Sequence, residues 1–269
     1  MFTDSRTSSW YLALFKYIKV FSFHIFDILR YRFFFYTHFK KDKFSTSKKC
    51  IYTVLINNYD DLKDPKFITP GWDYLCFTNL KNLSSSCWKF IYVENPEDLD
   101  PVRLNRKYKC LNHLIDFSYD YSIYIDSNIR ILNNLDHFLN STISKSTDIA
   151  IVYHKHRYSV QQELAACIRN KKDDSTKLQS QIDFYKKNDH FQDKMMLTWN
   201  ALIIRKTNST YLKAFMESWF SELKKWSFRD QISFCPTYLK HSKNISFNYI
   251  PHWKFNNCFI VNKHIHQGK

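Results

Sequence analysis

A carboxylate and an amide follow a short apolar segment near the middle of the chain. Residues 121–125 are mostly aromatic or β-branched, which predicts a buried strand, and Asp126 and Asn128 come directly after it. In an open α/β sheet these side chains would lie at the carboxyl edge, where such sheets bind ligands. Two oxygen-bearing side chains at this spacing are able to hold a hard divalent cation against a substrate diphosphate. An ordinary turn after a strand has the same residues, so the motif alone leaves both interpretations open.

Two cationic residues precede this motif. Arg106 and Lys109 lie one turn apart in a stretch that Pro101 predicts to be helical over residues 102–116. Side chains three residues apart lie on the same face of a helix, so both would be able to neutralise one diphosphate. The alternative is that both are solvated surface residues.

Strand and helix patterns alternate from residue 48 onward. This order predicts an α/β fold with a mostly parallel central sheet flanked by helices, in one domain over residues 49–269. The predicted strands span residues 50–56, 73–78, 88–93, 121–125, 148–153 and 200–205. The predicted helices span residues 102–116, 160–170, 177–187 and 209–225.

The composition permits an enzyme-sized core and excludes several classes of protein. The chain has 269 residues, 44% of them hydrophobic, which excludes a disordered protein. It contains only 2 Gly beside 24 Phe and 18 Tyr, so it lacks the Gly-rich phosphate loops of the dinucleotide-binding and Walker types. Phosphate groups would therefore have to be held by a metal ion, Arg and Lys.

Seven cysteines are scattered along the chain without any C-x-x-C pair. Several lie in apolar patterns typical of buried thiols. This usage favours a reducing compartment and predicts no zinc site.

A formal net charge of +15 predicts an anionic partner or surface. The sequence contains no recognisable helix-turn-helix, zinc-finger or RNA-binding aromatic signature, so we expect no specific nucleic-acid binding. The remaining anionic partners are a membrane surface and a nucleotide diphosphate.

The N-terminal segment, residues 1–48, is aromatic and basic. It carries nine Lys or Arg and three Asp or Glu, and its charged residues interrupt the apolar stretch at 10–36. A membrane span is therefore not expected, since a span needs ~18 or more apolar residues. On a helical wheel Lys16, Lys19, Asp27 and Arg30 fall within one quadrant, which predicts an amphipathic helical extension lying on an anionic membrane surface. Packing on the domain and oligomerisation are the alternatives.

Several blocks together resemble the glycosyltransferase-like domain family of the plant TOD and MUCI type, which has bacterial members. The resemblance covers roughly residues 49–266 and implies a GT-A-like (Rossmann-like) fold and transfer of a sugar from a nucleotide-sugar. The sequence departs from the family pattern at two positions. Asn79 follows the Phe-Thr pair where an acidic residue is more usual, and Lys155 follows the His where Pro is usual, so the details of these two loops differ from the family pattern. The blocks are Tyr52-Thr53, Asn57-Asn58-Tyr59-Asp60, Phe77-Thr78, Trp88, Asn105-Arg106-x-x-Lys109, Tyr124-Ile-Asp-Ser-Asn128, His154-x-x-Arg157, Glu163, Ile204-Arg205, Trp219-Phe220 and Arg229-Asp230-Gln231.

The resemblance implies a metal site that begins at Asp126 and Asn128. In many GT-A enzymes a His near the end of the domain completes the site, and His264 and His266 are the candidates here. Imidazole suits Mn²⁺ better than Mg²⁺. A tail without a metal-binding role is the alternative.

Asp230 lies in the Arg229-Asp-Gln231 block, at the predicted start of a helix. The helix amides and Arg229 would keep its carboxylate ionised, so it is a candidate general base toward the acceptor hydroxyl or a stabiliser of positive charge at the sugar. Gln231 is a candidate for hydrogen bonding to sugar or acceptor. A structural helix carboxylate in a salt bridge is the alternative for Asp230.

Two further sets of residues are candidates for contact with the nucleotide-sugar. Tyr52, Thr53, Asn57 and Asp60 end or follow the first strand, where GT-A folds bind base and ribose, although a Tyr in a strand is also typical of a core. His154 and Arg157 follow a later strand. For Arg157, a loop-fixing pair with Glu163 is the alternative that we favour.

These features together predict a metal-dependent glycosyltransferase that uses Mn²⁺ or Mg²⁺ and a nucleotide-sugar, in particular a UDP-sugar. The expected acceptor is a glycan or glycolipid hydroxyl in cell-surface polysaccharide biosynthesis, and the expected location is the cytoplasmic face of a bacterial-type membrane. The competing hypothesis is a non-catalytic basic module of the same fold that binds anionic membrane or polysaccharide.

Overall fold

The computed structural model describes residues 43–111, 118–187 and 196–264. The backbone divides into two units, residues 1–43 and 44–269, and the fold below is that of the second. The predicted amphipathic segment at 10–36 lies outside the described residues, as does His266. Within the described ranges, no helix has the length and apolarity needed to cross a membrane.

Nine strands and seven helices are described. The strands are β1 (Lys49–Leu55), β2 (Trp72–Thr78), β3 (Lys89–Tyr92), β4 (Tyr121–Ile125), β5 (Ile129–Ile131), β6 (Ile149–Tyr153), β7 (Thr198–Lys206), β8 (Phe247–Ile250) and β9 (Phe259–Val261). The helices are α1 (Pro101–Cys110), α2 (Leu135–Thr142), α3 (Val160–Arg169), α4 (Ser175–Lys186), α5 (Thr210–Lys225), α6 (Asp230–His241) and α7 (His252–Cys258).

The central sheet has seven strands in the order β3-β2-β1-β4-β7-β6-β8. β1 pairs in parallel with β2 and β4, and β6 pairs in parallel with β8, whereas β7 runs antiparallel to both of its neighbours. β5 and β9 form a separate antiparallel pair. The predicted mostly parallel sheet is confirmed.

Helices cover both faces of the sheet. One core lies between the sheet and α1 and α3–α6, and includes Tyr52, Tyr124 and Trp219. The other lies between the sheet and α2 and α7, and includes Ile123 and Phe138. β1 and β4 are buried along their whole length, which is why their sequences are continuous apolar runs.

The sheet brings the chemistry-bearing residues to one edge. β1, β2, β4 and β6 all end there, and the reversed strand β7 begins there. The link across β4 and β7 is direct, because the Asp126 N–H donates to the Ala201 carbonyl at 2.9 Å. Ligands bind at this edge in open α/β sheets.

Candidate active site

A buried ion pair joins the middle of the chain to the start of α6. The Lys109 ammonium lies 2.6 Å from Asp230 Oδ2, and Arg106 Nε lies 3.5 Å from the same oxygen. Lys109 is 1% exposed and the Asp230 side chain 7% exposed. α1 begins at Pro101 with Asp100 as its N-cap, so the two cations stand one turn apart on a well-defined helix.

Electrostatics keep this cluster charged. Burial opposes ionisation of Asp230, but the charges of Arg106 and Lys109 outweigh it and hold the pKa of Asp230 well below its usual range. Burial likewise opposes the charge on Arg106, and the Asp230 and Asp126 carboxylates outweigh it, so the pKa of Arg106 is raised. A general base works best with a pKa near the operating pH. The contacts with two cations, together with the lowered pKa, therefore favour the salt-bridge alternative for Asp230 over the general-base hypothesis.

Asp126 is the more open carboxylate of the site. Its Oδ1 accepts a hydrogen bond from the Tyr124 hydroxyl at 2.7 Å and lies 3.6 Å from the Lys109 ammonium. Among the described residues, Oδ2 has no hydrogen-bond partner, and the side chain is 33% exposed. Burial and the neighbouring Asp126 charge raise the pKa of Tyr124, so its hydroxyl stays a donor. Asp126 thus keeps one oxygen without a hydrogen-bond partner among the described residues.

A second polar cluster surrounds Asn128. His264 Nδ1 lies 2.9 Å from Asp60 Oδ1, and its Nε2 lies 3.3 Å from Asn128 Nδ2. Asp60 also accepts from the Ser127 hydroxyl at 2.7 Å, and Asn128 Nδ2 donates to the Asn262 carbonyl at 3.0 Å. The structure therefore joins Asp60, which we expected near base and ribose, to the metal motif and the tail.

The donor set at this edge fits a divalent cation that has further ligands from a substrate. A proton on His264 Nδ1, directed at Asp60, leaves the Nε2 lone pair facing the Asn128 amide nitrogen, and a metal ion at Nε2 would have to replace that contact. Asp126 and Asn128 add oxygen atoms. No three His, Cys, Asp or Glu side chains cluster as a metal site within the described ranges. The protein donors alone are thus few, so oxygen atoms of a substrate phosphate would have to supply the remaining ligands.

The predicted nucleotide-binding residues on and after β1 differ in their exposure to solvent. Tyr52 is fully buried, its ring packs edge-on against Phe77 and Tyr124, and its hydroxyl donates to the Lys109 carbonyl. Tyr52 is therefore a core residue, and the prediction that it stacks on the nucleotide base is wrong. Thr53 is also buried. Asn57 is exposed just after β1, and its side-chain oxygen Oδ1 accepts from the Asn79 side-chain amide at 2.6 Å, which joins the ends of β1 and β2.

His154 and Arg157 form part of a third cluster at the end of β6. Arg157 contacts Glu163 through Nε, as the loop-fixing alternative predicts, and its NH2 lies 2.7 Å from His154 Nε2. Arg229 also reaches Glu163, at 3.6 Å. Gln231 is buried and donates to the Thr198 carbonyl at 3.2 Å, so its amide nitrogen is used to join α6 to β7.

Sequence reasoning missed two residues that the fold brings to this edge. Asn262 bonds reciprocally with Asn128, and the two lie 134 residues apart, so no local pattern reveals the contact. Asn200 is 2% exposed on β7, and neither of its amide atoms has a hydrogen-bond partner among the described residues. The sequence feature that could have revealed Asn200 is a polar residue at the start of an otherwise apolar predicted strand.

Comparison with known proteins identifies the family. The family model described as TOD1/MUCI70, glycosyltransferase-like domain, matches residues 37–266. The chain belongs to this family. A curated relative is the Arabidopsis thaliana protein named probable hexosyltransferase MUCI70, which is 26% identical over 206 residues. That match covers 68% of this chain and 36% of the plant protein, so the chain spans about a third of its relative's length. The TOD1/MUCI70 domain includes all three polar clusters.

Proposed function

We propose that this TOD1/MUCI70 domain transfers a sugar from a nucleotide-sugar, in particular a UDP-sugar, to a hydroxyl of a glycan or glycolipid. The family description and the name of the plant relative support a sugar transferase. The observation that carries the proposal is Asp126, a partly exposed carboxylate at the ligand-binding edge with two fixed cations beside it. We further propose a role in cell-surface polysaccharide synthesis at a membrane, with residues 10–36 as the surface anchor.

Asp126, Asn128 and His264 would hold Mn²⁺ or Mg²⁺. When bound, the cation would neutralise charge on the diphosphate as the bond to the sugar breaks. Asp60 would orient the His264 ring through its contact with Nδ1. This arrangement uses one residue after β1, two after β4 and one in the tail, all at the same edge.

Lys109 and Arg106 would stabilise the charge of the diphosphate from the α1 side. The Lys109 ammonium already lies between two carboxylates, 2.6 Å from Asp230 and 3.6 Å from Asp126. Its side chain also lies over the Tyr124 ring, 4.8 Å from the centroid, so its position is fixed before substrate arrives. Asp230 would act as a positioning residue that holds both cations. Preorganised charge of this kind stabilises a leaving group without reorganisation cost.

A thermal-shift screen of nucleotide-sugars, with and without Mn²⁺, tests the proposal. A donor at ~100 times its dissociation constant should stabilise the protein by about 2.7 kcal/mol. The expected result is stabilisation by one class of nucleotide-sugar that requires Mn²⁺ or Mg²⁺. Stabilisation by anionic polysaccharide alone, with no response to any nucleotide-sugar, would favour the non-catalytic module instead.

A further inference from the structure

Two arginines share one buried carboxylate beside the candidate active site. Glu163, on the first turn of α3, has a side chain only 1% exposed. One of its oxygens contacts Arg157 Nε, and the other lies 3.6 Å from Arg229 NH2. A single carboxylate therefore fixes two guanidinium groups that come from different loops.

The charges in this cluster do not balance. Two guanidinium groups face one carboxylate, and the neighbouring His154 adds no negative charge. Burial and the Arg157 charge lower the pKa of His154 to about 4, so it is neutral at physiological pH. The Cys167 thiol donates to Glu163 at 3.3 Å, and burial raises its pKa to about 11, so it is neutral as well. Glu163, Arg157 and Arg229 taken together therefore carry a net charge of +1, while Asp230, which Arg229 also influences, is already paired with Lys109 and Arg106.

Both arginine side chains are partly exposed to solvent, although the Nε atom of each is buried. The Arg157 side chain is 30% exposed and that of Arg229 is 25% exposed, although the carboxylate that holds them is buried. A guanidinium group has five N–H donors in a rigid plane, so one edge can pair with Glu163 while another meets a ligand. Because Glu163 already holds both guanidinium groups in place, the two arginine side chains lose less conformational entropy when they bind a carboxylate or phosphate group.

The pair and the α1 cations come from different elements around Asp230. Arg229 directly precedes Asp230 at the start of α6, and its charge contributes to the lowered pKa of Asp230. Arg106 and Lys109 approach the same carboxylate from α1, where Asp126 also lies. A diphosphate held at Asp126 already has these two cations beside it. The Arg157–Arg229 pair is then left for another anionic group.

We propose that Arg157 and Arg229 bind an anionic group, carboxylate or phosphate, carried by the acceptor. The inference rests on the proposed function, because it takes the donor to lie at Asp126. It assigns an acidic substrate class to the acceptor: a glycan with uronic-acid residues or with phosphate substituents. A neutral glycan would leave the excess positive charge of the pair unmatched.

Calorimetric binding of three probes to the full chain tests the inference. The probes are a uronic-acid oligosaccharide, a hexose phosphate, and a neutral hexose oligosaccharide of the same length as the first. The variants are Arg229→Gln, Arg157→Gln and the triple change Arg157→Gln, Glu163→Gln, Arg229→Gln. Each single change leaves Glu163 paired with one arginine, and the triple change leaves no unpaired buried charge, so folding is maintained. The matched control for net charge is Arg169→Gln, because Arg169 is exposed and lies on α3, the helix that carries Glu163.

Wild-type protein should bind at least one acidic probe more tightly than the neutral one, and the acidic probe that binds identifies carboxylate or phosphate as the preferred group. Each single change should weaken that binding roughly 10- to 100-fold, as expected for loss of hydrogen bonds to a charged group. Arg169→Gln should leave it within about twofold. UDP binding with Mn²⁺, measured in parallel, should not change in any variant.

Three results would overturn the inference. Equal wild-type affinity for acidic and neutral probes would contradict the proposal that the acceptor is acidic. Unchanged acidic binding in the triple variant would show that the pair is structural. A loss of UDP affinity in place of acidic-probe affinity would assign the pair to the donor diphosphate. Absence of UDP binding in wild-type protein would contradict the proposed function separately.

Discussion

Asp126 and Asp230 both face the Lys109 ammonium, yet their surroundings differ. Asp230 is buried at the start of α6, 2.6 Å from Lys109 and 3.5 Å from Arg106. Asp126 lies at the end of β4, one-third exposed and 3.6 Å from Lys109. The protein itself supplies the counter-charges of Asp230, whereas Asp126 keeps an oxygen for a ligand.

This difference separates a positioning role from a binding role. A carboxylate beside two buried cations compensates charges that would otherwise be buried without a partner, and it fixes those cations. A carboxylate at an open strand edge adds little to stability and is available to a metal ion. Stability measurements and ligand-binding measurements should therefore respond to the two residues in opposite ways.

The largest expected effect is on stability at Asp230. Asp230→Asn removes the negative charge beside two buried cations and should lower the free energy of unfolding by about 3–5 kcal/mol. Asp126→Asn should lower it by less than about 1 kcal/mol, because the side chain is partly exposed. Urea denaturation of both variants measures the comparison. Equal losses would show that the two carboxylates have equivalent structural roles.

Acid should remove the contribution of Asp230. Its folded-state pKa lies below the ordinary Asp value of about 3.9, so its stabilisation is present above that pH and is lost as pH falls toward the folded value. Wild type should thus exceed Asp230→Asn in stability at pH 7, and the gap should narrow below about pH 4. Urea unfolding at a series of pH values checks this. A gap that stays constant on acidification would contradict the ion-pair role.

The smallest effect is expected at Asn200. Its buried amide has no hydrogen-bond partner among the described residues, and such a group costs about 1–3 kcal/mol in the folded state. Asn200→Leu, similar in volume, should therefore leave the free energy of unfolding unchanged or raise it. The control is Gln181→Leu, because the Gln181 amide is equally buried but donates to the Tyr185 hydroxyl at 2.8 Å, so its loss should destabilise. Destabilisation by both changes to the same extent would show that Asn200 is hydrogen-bonded in solution.

The elements predicted from the sequence were those with strong local patterns. β1, β4, α3 and α5 were expected within one or two residues of their bounds, because buried apolar runs and capping residues act over short distances. The short elements β5, α2 and α7 were not predicted. β5 pairs with β9 far along the chain, so its existence depends on a partner that no local window contains.

In the candidate site, too, the sequence predicted the local groupings of residues but not the contacts between distant ones. Asp126 with Asn128, and Arg157 with Glu163, were recognised because each set is close in sequence. The contact of Lys109 with Asp230 spans 121 residues, and that of Asp60 with His264 spans 204. Sequence spacing carries no information on such contacts, so the general-base hypothesis for Asp230 could not be weighed against two cations that only the fold supplies.

The most direct test of the account is calorimetry of UDP with and without Mn²⁺ on wild type and Asp126→Ala, with Asp61→Ala as an exposed-carboxylate control. Asp61 follows β1 near the site and has a side chain 64% exposed. Wild type and the control should bind UDP more tightly with Mn²⁺, and Asp126→Ala should bind it equally with and without the metal while remaining folded. Mn²⁺-dependent UDP affinity equal to that of wild type in Asp126→Ala would contradict the assignment of Asp126 as the ligand-binding carboxylate.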